Sequence, residues 1–156
     1  MNILIVYDSL FGNTEKVAHQ IAQSLGSYTV RLLTAREATP KDMELVELLI
    51  VGSPTHGGNC SPVTTEFLNR FTKGSLNNIR GAAFDTGIPA CEKKGFMRFL
   101  IGLIGYADKH IAKSLKKNGA KLVGSETFFV LDKEGPLKDG ELERSGRWAT
   151  ELVNKE

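Results

Sequence analysis

The sequence predicts an α/β protein in which a doubly wound, five-stranded parallel sheet carries helices on both faces, folded as one domain over residues 1–156. Two patterns lead there. Short aliphatic runs such as Ile3, Leu4, Ile5 and Val6 show no polar alternation, which marks strands buried on both faces. Segments of helical period separate those runs, and such alternation implies a parallel sheet covered on both sides with right-handed crossovers. Composition agrees, because 156 residues with 41% hydrophobic content suit one domain with a sizeable core.

The elements follow in order. After the first strand, Val17, Ala18, Ile21, Ala22 and Leu25 recur at helical spacing, and Gly26 stands where a helix stops. Tyr28 to Leu33 reads as the second strand and Leu48 to Val51 as the third. Ser61 and Pro62 form the N-cap and first residue of a helix that carries Val63, Phe67, Leu68 and Phe71 and stops at Gly74. Ala82 to Phe84 is a short fourth strand, and Lys121 to Leu131 a long fifth. Ile111, Ala112 and Leu115 mark a helix ended by Asn118-Gly119. Asp139 is the expected cap of the last helix, which carries Leu142, Ala149 and Leu152.

In an open sheet of this kind, ligands gather at the carboxyl ends of the strands where the strand order reverses. Three loops meet there: Asp8 to Thr14, Ser53 to Ser61 and Asp85 to Lys94. The first is a strand-to-helix turn. It aims backbone N–H groups and the positive end of a helix dipole at one point, which suits a phosphate. Ser9, Asn13 and Thr14 add uncharged side chains able to donate hydrogen bonds, so the turn reads as a neutral phosphate cradle.

The stretches "SLFGNT", "GSPTHGGN" and "AAFDTG", in that order and spacing, resemble the three FMN-binding loops of the flavodoxin family. The resemblance extends along nearly the whole chain, through "KHIAKSLKKNGAKLV" and the uninterrupted fifth strand of a short-chain member. It implies a sheet in the order 2-1-3-4-5 with FMN as cofactor. Ser9, Asn13 and Thr14 then hold the FMN phosphate through side chains, with Leu10, Phe11 and Gly12 offering backbone N–H groups. Pro54, Thr55, His56, Gly57 and Gly58 run along the isoalloxazine, with His56 over the ring. The Gly57-Gly58 peptide can flip at little steric cost to present C=O to a protonated flavin N5. Asp85, Thr86 and Gly87 take the position beside the pyrimidine edge. Asn59 and Cys60 read as bystanders.

Three departures from the family stand out. Phe11 replaces a second hydroxyl residue, Ile88 replaces an acidic one, and the second stacking aromatic would fall near Cys91. Phe96, Phe99 and Tyr106 are the alternative covers of that flavin face, in an apolar segment over 95–107 that is too short to span a bilayer. That segment reads as a packed helix turn, a flavin lid or a partner surface, including peripheral membrane contact. Lys93, Lys94 and Arg98 make the third loop basic, which implies a partner with an acidic docking face.

The resemblance implies an electron carrier that shuttles electrons between redox partner proteins. An alternative is an NAD(P)H- or quinone-linked FMN reductase, including the protoporphyrinogen-oxidising flavodoxin-like enzymes; a third is a flavin-free interaction domain. A net charge of +2 gives nucleic-acid binding little support. The N-terminal aliphatic run lacks the basic flank and length of a signal peptide, so a cytoplasmic protein without a transmembrane segment is expected. Cys60 and Cys91, with no CxxC, predict no disulfide in that compartment and no metal site.

Overall fold

The computed structural model describes residues 1–89, 95 and 105–155. Its sheet has five strands: β1 (Asn2–Tyr7), β2 (Thr29–Thr34), β3 (Leu48–Pro54), β4 (Arg80–Gly87) and β5 (Lys121–Phe129). All neighbours pair in parallel, in the order β2-β1-β3-β4-β5. The helices are α1 (Asn13–Ser24), α2 (Pro62–Asn69), α3 (Ala107–Lys117) and α4 (Glu141–Val153), and a 3-10 turn at Pro40–Met43 lies between β2 and β3. The order steps outward from β1 to β2, then reverses through β3, β4 and β5. The reversal falls between β1 and β3, and the crevice opens at their carboxyl ends.

Two packed layers explain why the central strands carry no polar alternation. Successive strand side chains point to opposite faces. Leu4, Val6, Leu49, Val51 and Ala83 pack with Phe67 of α2 and Ile111 and Leu115 of α3. Ile3, Ile5, Leu48, Ile50, Ala82 and Phe84 pack with Val17 and Ile21 of α1 and Trp148 and Leu152 of α4. Each fully buried aliphatic side chain contributes roughly 1.5–3 kcal/mol relative to exposure. Gly52 makes room in the second layer: a Cβ there would lie 2.0 Å from Cζ of Phe84, its partner on β4.

Two boundaries differ from the sequence expectation in ways that shape the site. β4 runs on to Gly87, because Ser53 and Pro54 at the end of β3 pair with Asp85 and Thr86. Asp85, Thr86 and Gly87 are therefore strand residues with alternating side-chain directions. Asp139 does not cap the last helix. The N-cap of α4 is Gly140, with φ of 82° and no side-chain cap, and Asp139 is exposed. Ser61 does cap α2, accepting the Thr64 N–H at 3.2 Å, with Pro62 in the first turn. No helix among the described residues is long and apolar enough to cross a membrane.

Candidate functional site

The first loop joins β1 to α1 through Gly12, whose φ of 82° is the left-handed conformation that glycine adopts without strain. Lys16 N–H reaches back to Gly12 O at 3.1 Å to start the helix, and Ser9 Oγ takes the Glu15 N–H at 3.3 Å. The backbone N–H groups from Leu10 to Thr14 have no hydrogen-bond acceptor among the described residues. A helix start leaves its first N–H groups unpaired. Here that run is extended by the preceding turn, and it needs water or an anion. A phosphate fits the donor set.

Side chains tie this cradle to the rest of the sheet. Thr14, 1% exposed, places Oγ1 2.8 Å from Oγ1 of Thr86 at the end of β4. Asn13 donates from Nδ2 to Glu134 O at 3.0 Å, fastening the loop that follows β5 against the start of α1. Gly135 in that loop approaches so closely that a Cβ would lie 2.6 Å from Asn13 Nδ2.

The second loop is held at both ends and turned at its tip. Ser53 Oγ accepts the Ser61 N–H at 2.8 Å, which draws the two ends together. His56 and Asn59 exchange backbone hydrogen bonds of 2.9 and 3.1 Å, closing a two-residue turn over Gly57 and Gly58. Both glycines have positive φ, 57° and 81°, a pairing that disfavours residues with a Cβ. Asn59 also donates from its amide to Gly57 O at 3.4 Å. It helps close the turn without lining the cavity that the loops enclose.

These loops enclose a cavity of about 770 Å³. Of the residues expected at the site, Ser9, Leu10, Phe11, Asn13, Thr14, Pro54, Thr55, His56, Gly57, Thr86 and Gly87 line it. Gly12 and Gly58 shape the two turns without lining the cavity. Asp85 does not line it either. Its side chain is 0% exposed on the α3 side of the sheet, where Oδ2 accepts the Ala107 N–H at 3.1 Å and a short hydrogen bond from Thr55 Oγ1. The alternation of β4 accounts for this: Thr86 faces the cradle, so Asp85 faces away.

The cavity also includes Asp8, Arg36, Ile88, Val130 and Lys133. Arg36 arrives from the end of β2 and Lys133 from the loop after β5, so two cations stand at a cradle that reads as neutral from the first loop alone. Spatial adjacency of the β1 and β2 ends, visible in the Ala35 N–H to Tyr7 O bond of 2.8 Å, is the signal for Arg36. Tyr106 packs behind Gly87 rather than lining the cavity: its ring lies against Phe129, centroids 6.3 Å apart, and its hydroxyl donates to Ile88 O at 3.1 Å. Cys91, Lys93, Lys94, Phe96, Arg98 and Phe99 lie outside the described residues.

Known proteins resemble this chain in sequence and in fold. The flavodoxin of Aquifex aeolicus is 42% identical over 59 residues, covering 36% of this chain and 32% of that protein. The flavodoxin of Clostridium saccharobutylicum is 30% identical over 89 residues, covering 55% and 56%. The matches thus span less than two thirds of either relative's length. Among solved structures, oxidised flavodoxin 1 from Bacillus cereus superposes with a TM-score of 0.72 at 20% identity, covering 99% of this chain and 98% of that one. An archaeal flavodoxin gives 0.74 at 19% identity over 99% and 97%. The family model for flavodoxin matches residues 5–146. On that match and on the 2-1-3-4-5 sheet beneath it, the chain belongs to the flavodoxin family, whose members bind FMN.

Proposed function

We propose that this chain is an electron carrier that holds FMN noncovalently in the cavity between the β1 and β3 loops and exchanges electrons with redox partner proteins in the cytoplasm. The observation that carries the reading is the run of unpaired backbone N–H groups from Leu10 to Thr14 at the start of α1, opening on a cavity of about 770 Å³. Bound FMN supplies the redox chemistry, taking up electrons and releasing them.

The chain's own part is to bind, orient and shield. Leu10 to Thr14 direct N–H groups at the phosphate, and Arg36 and Lys133 add positive charge at the rim. Thr55, His56 and Gly57 form the wall along the ring system, held by the Ser53–Ser61 and His56–Asn59 bonds. Leu10 and Phe11, 64% and 43% exposed, border the cavity mouth with apolar surface suited to contact with a partner protein. Stepwise anaerobic reduction of the FMN-loaded protein, followed by mixing with an oxidised one-electron acceptor, tests the reading. Reversible reduction followed by electron delivery, without turnover of NADPH, is the expected result. Failure to retain FMN, or NADPH oxidation without an added reductase, would overturn it.

A further inference from the structure

Behind the Thr55 wall lies a polar cluster that flavin binding does not explain. Asp85, buried on β4, accepts from Thr55 and from Ala107 N–H, while its Oδ1 has no hydrogen-bond partner. Ala107 N–H is shared, since Thr55 Oγ1 lies 3.2 Å from it. Asp85 thus does two jobs at once: it takes the first N–H of α3, whose N-cap Tyr106 makes no side-chain cap, and it holds the residue that precedes His56.

The groups facing Asp85 give it little help in carrying charge. From α3 comes Asp108, 2% exposed, with its own unpartnered Oδ1; Ser125 of β5 donates to its Oδ2 at 2.5 Å, and Lys109 reaches Oδ2 from solvent at 3.4 Å. From the β3–α2 loop comes Cys60, a neutral thiol whose titration burial pushes up to about 11. β5 contributes the Thr127 hydroxyl. Among the described residues no cation touches Asp85. Burial pushes its carboxyl up to about 7, opposed chiefly by the hydrogen bond from Thr55 and more weakly by that from the Ala107 N–H.

We propose that Asp85 is a positioning residue whose proton sets the polarity of the Thr55 hydroxyl, so that protonation of Asp85 and negative charge in the cavity stabilise each other. As a carboxylate, Asp85 accepts the Thr55 hydroxyl proton and fixes it away from the cavity. As an acid, Asp85 donates from Oδ2 to Thr55 Oγ1, and the Thr55 hydroxyl hydrogen is released to point elsewhere. The orphaned Oδ1 then becomes an uncharged carbonyl oxygen, which costs less to leave unpaired. The inference rests on the FMN reading in one respect: reduction is what brings the negative charge. One electron arrives from the reductant, one proton arrives from solvent, and the only bond formed in the protein is Asp85 O–H.

The test measures the potential of the last one-electron reduction of the FMN-loaded protein against pH, in the parent, Asp85→Asn and Asp108→Asn. The parent and Asp108→Asn are expected to show a flat profile below about pH 7, where Asp85 keeps its proton in both redox states, and a fall toward a one-proton slope as pH rises above it, whereas Asp85→Asn stays flat throughout. Reduced-minus-oxidised infrared spectra of the parent provide a readout that needs no variant: a protonated-carboxyl C=O band should appear on reduction near neutral pH. A sloping Asp85→Asn profile, or no carboxyl band in the parent, overturns the assignment while leaving FMN binding intact. A chain that does not bind FMN overturns the functional reading and this inference together.

Discussion

Thr14 on α1 and Thr86 on β4 meet hydroxyl to hydroxyl at 2.8 Å, both buried, at the base of the cavity. One hydroxyl donates to the other, and the second keeps a free hydrogen for a ligand. Replacing either by Val leaves the other buried hydroxyl short of a partner, at a cost of about 1–3 kcal/mol, whereas replacing both removes the mismatch. Denaturant unfolding of the two single variants and the double variant should therefore show a double-variant loss clearly smaller than the sum. Additive losses would mean that the hydroxyls do not interact.

Asp85 should leave a mark on the pH dependence of folding. It titrates near 3.8 in an unfolded chain and about 7 in the folded protein, chiefly because burial penalises the carboxylate. The folded state therefore holds the proton more tightly. The resulting stability is complete below about pH 4, falls as pH rises and is gone above about pH 7. The shift corresponds to an order of 4 kcal/mol. Unfolding of the apoprotein across that range should show this decline in the parent and lose it in Asp85→Asn; a decline of equal size in Asp85→Asn would refute the assignment.

Packing in the second layer makes its own prediction. A Cβ at Gly52 would sit 2.0 Å from Phe84 Cζ, inside the van der Waals limit of a fully buried ring. Gly52→Ala should cost about 1–3 kcal/mol, because a close-packed interior cannot absorb the methyl without displacing Phe84. Adding Phe84→Leu should recover part of that loss in thermal unfolding. If Gly52→Ala is as stable as the parent, the strand-to-strand contact is looser than described.

Much of this architecture was legible from the residues. The aliphatic runs at 3–6 and 48–51 announce strands buried on two faces, and Ser61-Pro62 announces a helix start, because both signals are local. The direction of a side chain near a strand end is not local. Asp85 reads as a loop residue beside the ligand until β3 is seen to extend β4 to Gly87, which turns Asp85 to the far face. Arg36, Val130 and Lys133 belong to segments distant in sequence and reach the cavity only through strand order and the fold of the loop after β5. Asp139 misled because Asp is a common N-cap, whereas here Gly140 occupies that position.

Charge at the rim should appear as salt dependence. Arg36 and Lys133 are both exposed, so each contributes less than about 1 kcal/mol, and more at low ionic strength than at high. FMN affinity of the parent should fall between about 0.05 and 0.5 M salt, and the Arg36→Ala, Lys133→Ala double variant should show a shallower fall. Parallel salt profiles would place both cations too far from the phosphate to matter.

The most direct measurement is titration of the apoprotein with FMN and with riboflavin, which differ only in the phosphate that the Leu10–Thr14 N–H groups are held to bind. Several charge-assisted hydrogen bonds should favour FMN by at least about 100-fold, close to 2.7 kcal/mol. Equal affinities for the two, or no binding of either, would contradict the account of this cavity as an FMN site built on the start of α1.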